Sequence, residues 1–360
     1  FYYEPPTGYL ALCTSNLPDV AVVPSEHFNT ITYDDGAGAK TGVGFQPDLV
    51  WFKGRGAGVD HKLVDAVRGV TKKLHSNDGS AEGTDSTGLT AFGADGFTVG
   101  ADNSYANTTG DGMVAWNLKG GNATSGTGDF TQGSIASTCS RNVDAGFSIV
   151  SYTGTGANAT VGHGLSVAPE MFMIKNRDTS DFWVVYHKAI NPSTAIYYMV
   201  LNNAAASTTS GGANAGTFNY VHPSATVFTI GDLDLVNTNT EDYIAYCFHS
   251  VDGYSKVGSY TGNASANGTF VYTGFRPAFV MIKHTTTGST NWVMWDNKRD
   301  VNEIDKWLAA DSGGVEGTGA QVDFLSNGFK LRDSEALVNH NAVFIYLAFA
   351  ETPFKYSNAK

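Results

Sequence analysis

The chain has 360 residues, of which 42% are hydrophobic, so it carries enough apolar material for sizeable cores and is not a disordered polypeptide. Its formal net charge is −12, and the absence of any cluster of lysine and arginine excludes a nucleic-acid surface built on phosphate contacts. Only 16% of residues are charged while 42 are glycines, a composition typical of short strands joined by tight turns. We therefore expect an all-β protein with more than one core.

Cysteine usage and hydropathy limit the function classes further. Cys13, Cys139 and Cys247 lie far apart and have no metal-ligand spacing, which predicts free thiols in a chain that folds in a reducing cytoplasm. No apolar stretch approaches the roughly 20 residues of a membrane-spanning helix, so membrane insertion is not expected. The sequence predicts neither a metal site nor a bound cofactor.

The predicted units follow one another in a simple order. Residues 1–27 are interpreted as a segment or linker from a preceding domain, because the chain begins with Phe1 rather than Met. A first β module is expected at 28–119, then a linker rich in Gly, Ser and Thr at 120–145. Two further modules are expected at 146–250 and 251–352, followed by a tail at 353–360.

A repeated anchor defines the three modules: a proline followed six residues later by a lysine, with apolar residues between them. It reads PDLVWFK at 47–53, PEMFMIK at 169–175 and PAFVMIK at 277–283. An aromatic run precedes each anchor, at 28–33, 147–152 and 254–260, and an apolar run closes each copy, at 113–118, 243–248 and 343–349. About seven short strands in about 100 residues are typical of a jelly-roll-like β-sandwich, so we predict three in tandem.

The anchor residues have a structural interpretation. They are Pro47, Lys53, Pro169, Lys175, Pro277 and Lys283. Proline has no N–H to donate, so the prolines are expected at the entrances of strands that are buried on both faces. The lysines would then stand at strand ends, with packed stems and ammonium groups in water. An ion pair between modules is the alternative interpretation.

Side chains that could carry out chemistry change from copy to copy. One slot after the second alternating run reads Asp65, His187 and Asp296, and this drift favours a structural role beside a turn over catalysis. No arrangement of nucleophile, histidine and acid appears along the chain. We therefore predict no catalytic residues and no enzyme activity.

Tryptophans offer the candidate binding residues. Trp183, Trp292 and Trp295 are candidate glycan-contacting residues, because an exposed indole stacks on sugar rings, and core packing is the alternative. Strand alternation places Trp292 and Trp295 on opposite faces, so one of the two is expected to be exposed.

Three segments carry a resemblance to a known group of proteins. GFQPDLVWFK, AGFSIVSYTGTGANATVGHGL and FIYLAFAETPFKYSNAK resemble virion proteins of tailed, often marine, bacteriophages. The resemblance covers most of residues 28–360 and implies a tail-fibre-like or other virion structural protein with no transferable catalytic residues. It also implies localisation in the virion after assembly in the host cytoplasm.

These observations lead to three hypotheses for function. The first is a phage structural protein, either a tail or head fibre that binds the host surface or a protein that decorates the capsid. The second is an array of carbohydrate-binding modules, in which three copies raise avidity. The third is a polysaccharide depolymerase, which needs two carboxylates facing each other in a groove. Expected partners are further copies of the chain in a homo-oligomer, most simply a trimer, other virion proteins and host cell-surface glycans, but not nucleic acid.

Overall fold

The computed structural model describes residues 22–34, 36–56, 58–106, 112–121, 132–191, 196–206, 215–286 and 290–351. These residues form 25 strands, three one-turn α-helices and two 3₁₀ turns, which confirms the predicted all-β class. None of the helices in these ranges is long and apolar enough to cross a lipid bilayer. Cys139 and Cys247 are buried free thiols, whereas Cys13 lies outside the described residues.

We use the word module for three units, at residues 22–121, 132–250 and 251–351. The first contains β1 (Phe28–Tyr33), β2 (Gly38–Thr41), β3 (Leu49–Gly54), β4 (Lys62–Asp65), β5 (Lys72–Lys73), β6 (Gly83–Thr84), β7 (Leu89–Gly93), β8 (Gly96–Val99), α1 (Asn103–Ala106) and β9 (Met113–Leu118). The second contains β10 (Ser137–Asn142), β11 (Phe147–Thr153), β12 (Ala159–Gly162), β13 (Met171–Asn176), β14 (Val184–His187), β15 (Met199–Val200), α2 (Ala215–Phe218), β16 (Val227–Ile230), α3 (Asp234–Asn237) and β17 (Asp242–Phe248). The third contains β18 (Ser255–Thr261), β19 (Phe270–Tyr272), β20 (Pro277–His284), β21 (Val293–Asp296), β22 (Leu308–Ala309), β23 (Val322–Leu325), β24 (Gly328–Leu331) and β25 (Val343–Ala350).

One strand order recurs in the three large antiparallel sheets. The orders are β1-β9-β3-β4, β10-β11-β17-β13-β14-β15 and β18-β25-β20-β21-β22. In each sheet the last strand of the module lies between its aromatic strand and its anchor strand. Smaller sheets, with orders β2-β8-β7, β12-β16 and β19-β24-β23, come from the strands between these landmarks. The landmarks repeat in the sequence because they occupy equivalent places in the sheets.

The anchor strands lie at the centre of this arrangement. β3 and β13 each begin two residues after their proline and β20 begins at Pro277, so the prolines stand at strand entrances as predicted. Every residue of β3 and β13 is buried, which confirms the prediction of strands covered on both faces. In β3, Phe52 packs into the core of its own module while Trp51 points to the opposite face. That opposite face meets the other two modules.

The segment predicted as a linker contributes a strand. β10 falls inside residues 120–145 and pairs with β11 along its whole length, so part of this segment belongs to the large sheet of the second module. The register runs from Ser137 opposite Tyr152 to Asn142 opposite Phe147. The sequence pattern did not indicate this strand, because an edge strand needs only one apolar face and β10 consists mainly of Ser, Thr and other polar residues. Residues 122–131 of the predicted linker, 1–21 of the N-terminal segment and all of the predicted tail lie outside the described residues.

Four apolar clusters form the interior. Three of them lie inside individual modules, between the large and the small sheet. The fourth, which we call the shared core, is built from the opposite faces of all three large sheets. It contains Trp51 and Trp116 of the first module, Trp183 of the second, and Met281 and Trp292 of the third. The three modules therefore bury their large sheets against one another instead of following each other like beads.

Candidate functional site

Many of the buried polar side chains lie where two modules meet. A segment that follows β4, β14 or β21 along the chain, at residues 74–82, 199–206 or 308–316, lies on the next module. We call these segments junction loops. The His75 carbonyl accepts a hydrogen bond from Trp183 Nε1 at 2.7 Å, and the Val200 carbonyl accepts one from Trp292 Nε1 at 2.9 Å. We name the junctions 1–2, 2–3 and 3–1, giving first the module that supplies the loop.

A histidine replaces the tryptophan at junction 3–1 and makes the same bond. His61 Nδ1 lies 2.9 Å from Trp51 Nε1, which can only donate, so Nδ1 accepts and Nε2 carries the proton. Nε2 then donates to the Ala309 carbonyl at 2.9 Å. Burial holds the pKa of His61 well below its ordinary value, so the ring is neutral. With this contact the loops run from module 1 to 2, from 2 to 3 and from 3 to 1, and close a ring of three.

The anchor lysines are buried, contrary to the prediction that their ammonium groups reach water. Lys53 Nζ donates to the carbonyls of Gly54 and Gly313, the second of which belongs to the junction loop of the third module. Lys283 Nζ makes the equivalent contact with the Ala204 carbonyl of the second module, at 3.1 Å. The alternative of an ion pair is also wrong for these two, because the acceptors at the junctions are backbone carbonyls.

Lys175 keeps the burial but bonds within its own module, to the carbonyls of Asn176 and Thr179. Burial lowers the pKa of each anchor lysine to about 8. Each ammonium donates to buried backbone carbonyls, which satisfies its hydrogen-bonding capacity in the interior. The lysine recurs in all three copies because its long stem reaches these carbonyls.

Junction 1–2 contains a buried ion network. Arg68 Nε pairs with Asp65 Oδ2, and both side chains are fully buried. Glu82 of the junction loop lies 3.3 Å from Arg68 and 2.9 Å from Arg177 of the second module. The Tyr246 hydroxyl of the second module donates to Asp65 Oδ2 at 2.8 Å. The network thus satisfies each buried charge while it crosses from one module to the next.

Junction 3–1 repeats this network with different chemistry at one place. Arg299 Nε pairs with Asp296 Oδ2, and Glu316 of the loop bonds both Arg299 and Arg55 of the first module. Trp116 occupies the place of the tyrosine: its Nε1 donates to Asp296 Oδ2 at 3.0 Å. The slot judged structural in the sequence is therefore structural at both junctions. Its partner arginine was missed, although Asp-x-x-Arg at 65–68 and 296–299 was an available signal.

Junction 2–3 has no such network in the described residues. His187 stands in the aspartate position, and Ile190 in the arginine position. His187 Nδ1 accepts from the Ala189 N–H, and burial lowers the pKa of His187 to about 4, so the ring is neutral. Nε2 makes no hydrogen bond of good geometry, although the nearby Tyr346 carbonyl offsets part of the pKa decrease.

Two of the junctions contain a cavity at equivalent places, beside the strand that begins the large sheet of the next module, β18 or β1. At junction 2–3 it measures about 420 Å³ and lies between the edge of β18 and Glu170, His187 and Lys188. At junction 3–1 it measures about 220 Å³ and lies beside β1. At junction 1–2 strand β10 passes through this place, where the Ser140 hydroxyl donates to Asp48 at 2.9 Å. Both cavities therefore lie at the place that β10 occupies at junction 1–2.

The predicted glycan-contacting tryptophans are buried. Trp183 and Trp295 have no exposed surface and Trp292 is 1% exposed, so none of their rings is available for stacking on a sugar. Trp292 lies in the shared core and Trp295 in the core of the third module, which confirms the predicted alternation. The expected exposure of one of them was wrong, because both faces of the large sheet are covered.

One cluster near junction 3–1 combines metal-ligand residue types that the sequence did not single out. Asp60, His75 and Asp78 have donor atoms within 4.8 Å of one another. His75 Nδ1 lies 3.0 Å from Asp78 Oδ2, and Asp60 Oδ1 accepts from Asn77 at 2.8 Å. These hydrogen bonds hold the cluster together and fix the start of the first junction loop.

A family model described as a domain of unknown function, DUF7483, matches residues 23–353. The chain belongs to this family. The match runs through all three modules. No curated protein sequence matches the chain.

Proposed function

We propose that the protein is a non-enzymatic structural component of a phage virion, a fibre or appendage segment or a capsid-decorating protein. The observation that carries the proposal is the closed ring. Lys53, Lys283, His61 and the ion networks of junctions 1–2 and 3–1 bond from one module to the next. The resemblance of three sequence segments to tailed-phage virion proteins supports the same role.

The ring suits a rigid building block. Each module contributes one apolar face to the shared core, and each junction adds hydrogen bonds that depend on the position of the next module. Burial of apolar surface is the dominant stabilising effect in such a core. A load applied to one module is therefore passed to the other two, which is the property required of a particle component.

The location of the protein tests this proposal. Purified phage particles would be analysed by mass spectrometry and by electron microscopy with antibodies against this chain. We expect the protein in a fixed ratio to the major capsid protein and label at one class of site, distal or on the head. Particles that lack the protein at all stages of purification would contradict the proposal.

The expected oligomer is tested separately by light scattering coupled to size-exclusion chromatography. We propose a homotrimer, hence about three times the 38.1 kDa of one chain. Its contacts would lie outside the shared core, because that core is already closed within one chain. A 38.1 kDa species at micromolar concentration would contradict the trimer and leave the particle measurement to decide the virion role.

The expectation of no enzyme activity has its own test. Host polysaccharide would be incubated with the purified protein and assayed for new reducing ends. We expect none, with a known depolymerase as positive control. Release of reducing ends that scales with protein concentration would contradict the proposal and favour the depolymerase hypothesis.

A further inference from the structure

The small sheet of the third module presents an aromatic surface to solvent. β19 is an edge strand of three residues, in which Val271 is buried while Phe270 and Tyr272 are 43% and 65% exposed. Alternation places the two exposed rings on the same face, with Cα atoms about 6.5 Å apart. We call Phe270 and Tyr272 the aromatic pair.

Glycines leave the rings of the aromatic pair uncovered. Tyr272 lies opposite Gly328 in the register of β19 with β24. A Cβ at Gly328 would lie 3.1 Å from the Phe270 ring, and a Cβ at Gly274 would lie 3.7 Å from the Tyr272 hydroxyl. A Cβ at Gly328 would also clash with the Val271 carbonyl oxygen, so a larger residue does not fit beside the Phe270 ring. A Cβ at Gly274 would make an ordinary contact. Gly274 also has a φ of +89°, which only glycine adopts at little cost.

Charged side chains stand beside the aromatic pair on the same face. Lys330 lies directly opposite Phe270, and Asp323 lies opposite Lys330 on the next strand. Arg332 pairs with Asp323 and is about one-third exposed, at 36%. The face therefore combines two ring surfaces with the hydrogen-bond donors of Lys330 and Arg332, while Asp323 is only 5% exposed and holds Arg332 in place.

The other two modules lack this surface. The residues equivalent to the aromatic pair are Ala39 and Thr41 in the first module and Thr160 and Gly162 in the second. The scaffold strands are alike in the three copies, so the fold does not demand aromatic side chains here. Exposing two aromatic rings to water costs free energy that polar side chains would not cost. This cost points to a role in binding.

We propose that this face of the third module binds a carbohydrate chain. A sugar ring offers C–H groups on its faces, which match the electron-rich faces of aromatic rings, and oxygens at its rim, which match the donors of the lysine and the arginine. A nucleic acid is disfavoured by the net charge of −12. The inference goes beyond the proposed structural role and does not depend on it, because the isolated protein would show it.

The test uses an array of bacterial O-antigen and capsular polysaccharides, followed by calorimetric titration of the polysaccharide with the strongest signal. Wild type is expected to bind at least one of them. The double variant Phe270→Ala/Tyr272→Ala is expected to lose affinity by about tenfold or more, as removal of two stacking rings implies. The control is Phe182→Ala, which removes a ring of similar exposure (46%) in the second module.

Each outcome decides the proposal. Loss of binding in the double variant, with wild-type affinity in the Phe182 control and unchanged melting curves for both, supports it. A blank array for wild type, or equal affinity of wild type and the double variant, overturns it. If light scattering shows that the double variant dissociates an oligomer that wild type forms, and the array is blank, the face is a contact between copies. None of these results bears on whether the protein is found in particles.

Discussion

Junctions 1–2 and 3–1 bury an Asp–Arg pair and extend it through a glutamate to an arginine of the next module, whereas junction 2–3 places a neutral histidine at the same position. All three nevertheless keep the bond from an indole or imidazole N–H to a loop carbonyl. The difference shows that the ring is set by apolar packing and backbone hydrogen bonds. The space beneath a junction loop is filled either by an ion network or, at junction 2–3, by neutral side chains.

The largest expected effect comes from breaking an ion network. Arg299→Met or Arg68→Met leaves a fully buried aspartate without its partner, and should lower the free energy of unfolding by about 3–5 kcal/mol. The matched control is Ile190→Met at junction 2–3, where a volume-conserving apolar exchange should cost less than about 1.5 kcal/mol. Guanidinium unfolding followed by circular dichroism measures all three. Equal midpoints for Arg299→Met and Ile190→Met would show that the network adds no stability.

A smaller effect concerns pH at junction 2–3. The pKa of His187 is about 4 in the fold and about 6.5 in the unfolded chain, so between these values the unfolded chain takes up a proton that the folded chain refuses. Stability from this residue is complete above pH 6.5 and is lost as the pH falls toward 4.

This loss is measured against His187→Asn. Wild type should lose stability relative to the variant by about 1 kcal/mol per pH unit between pH 6 and pH 4.5. The comparison removes the contributions of His61 and His163, which both proteins share. A constant difference across this range would mean that His187 does not titrate with the fold.

The smallest loss of stability is expected from removing the side-chain oxygen that supports each junction, and this loss should be similar at the three junctions. The backbone N–H of the residue that donates to each loop carbonyl is itself held by a side-chain oxygen: His61 by Asn77, Trp183 by Asn202 and Trp292 by Asp311. Asn202→Ala should cost about 1 kcal/mol, the usual net value of one hydrogen bond, and Asn77→Ala somewhat more, because Asn77 also donates to Asp60. A difference of several kcal/mol between the two variants would show that the junctions are less equivalent than their geometry indicates.

Much of the fold can be predicted from the sequence because local chemistry dictates it. The prolines mark strand entrances, since proline cannot donate to a ladder, and doubly apolar runs such as 49–52 mark strands covered on both faces. β10 escaped prediction because its polar residues resemble a linker. The aromatic pair also escaped, although the alternation Phe-Val-Tyr at 270–272 was an available signal.

By itself, the sequence determined the aromatic, anchor and closing strands, their repeated order and the alternation that separates Trp292 from Trp295, because these depend on neighbours along the chain. Only the tertiary structure decided that the second face of each large sheet is covered by two other modules. That covering places the anchor lysines and the tryptophans in the interior, and leaves Phe270 and Tyr272 outside. Burial of a side chain depends on contacts between residues that are distant in sequence, and the repeat alone does not specify how its copies pack.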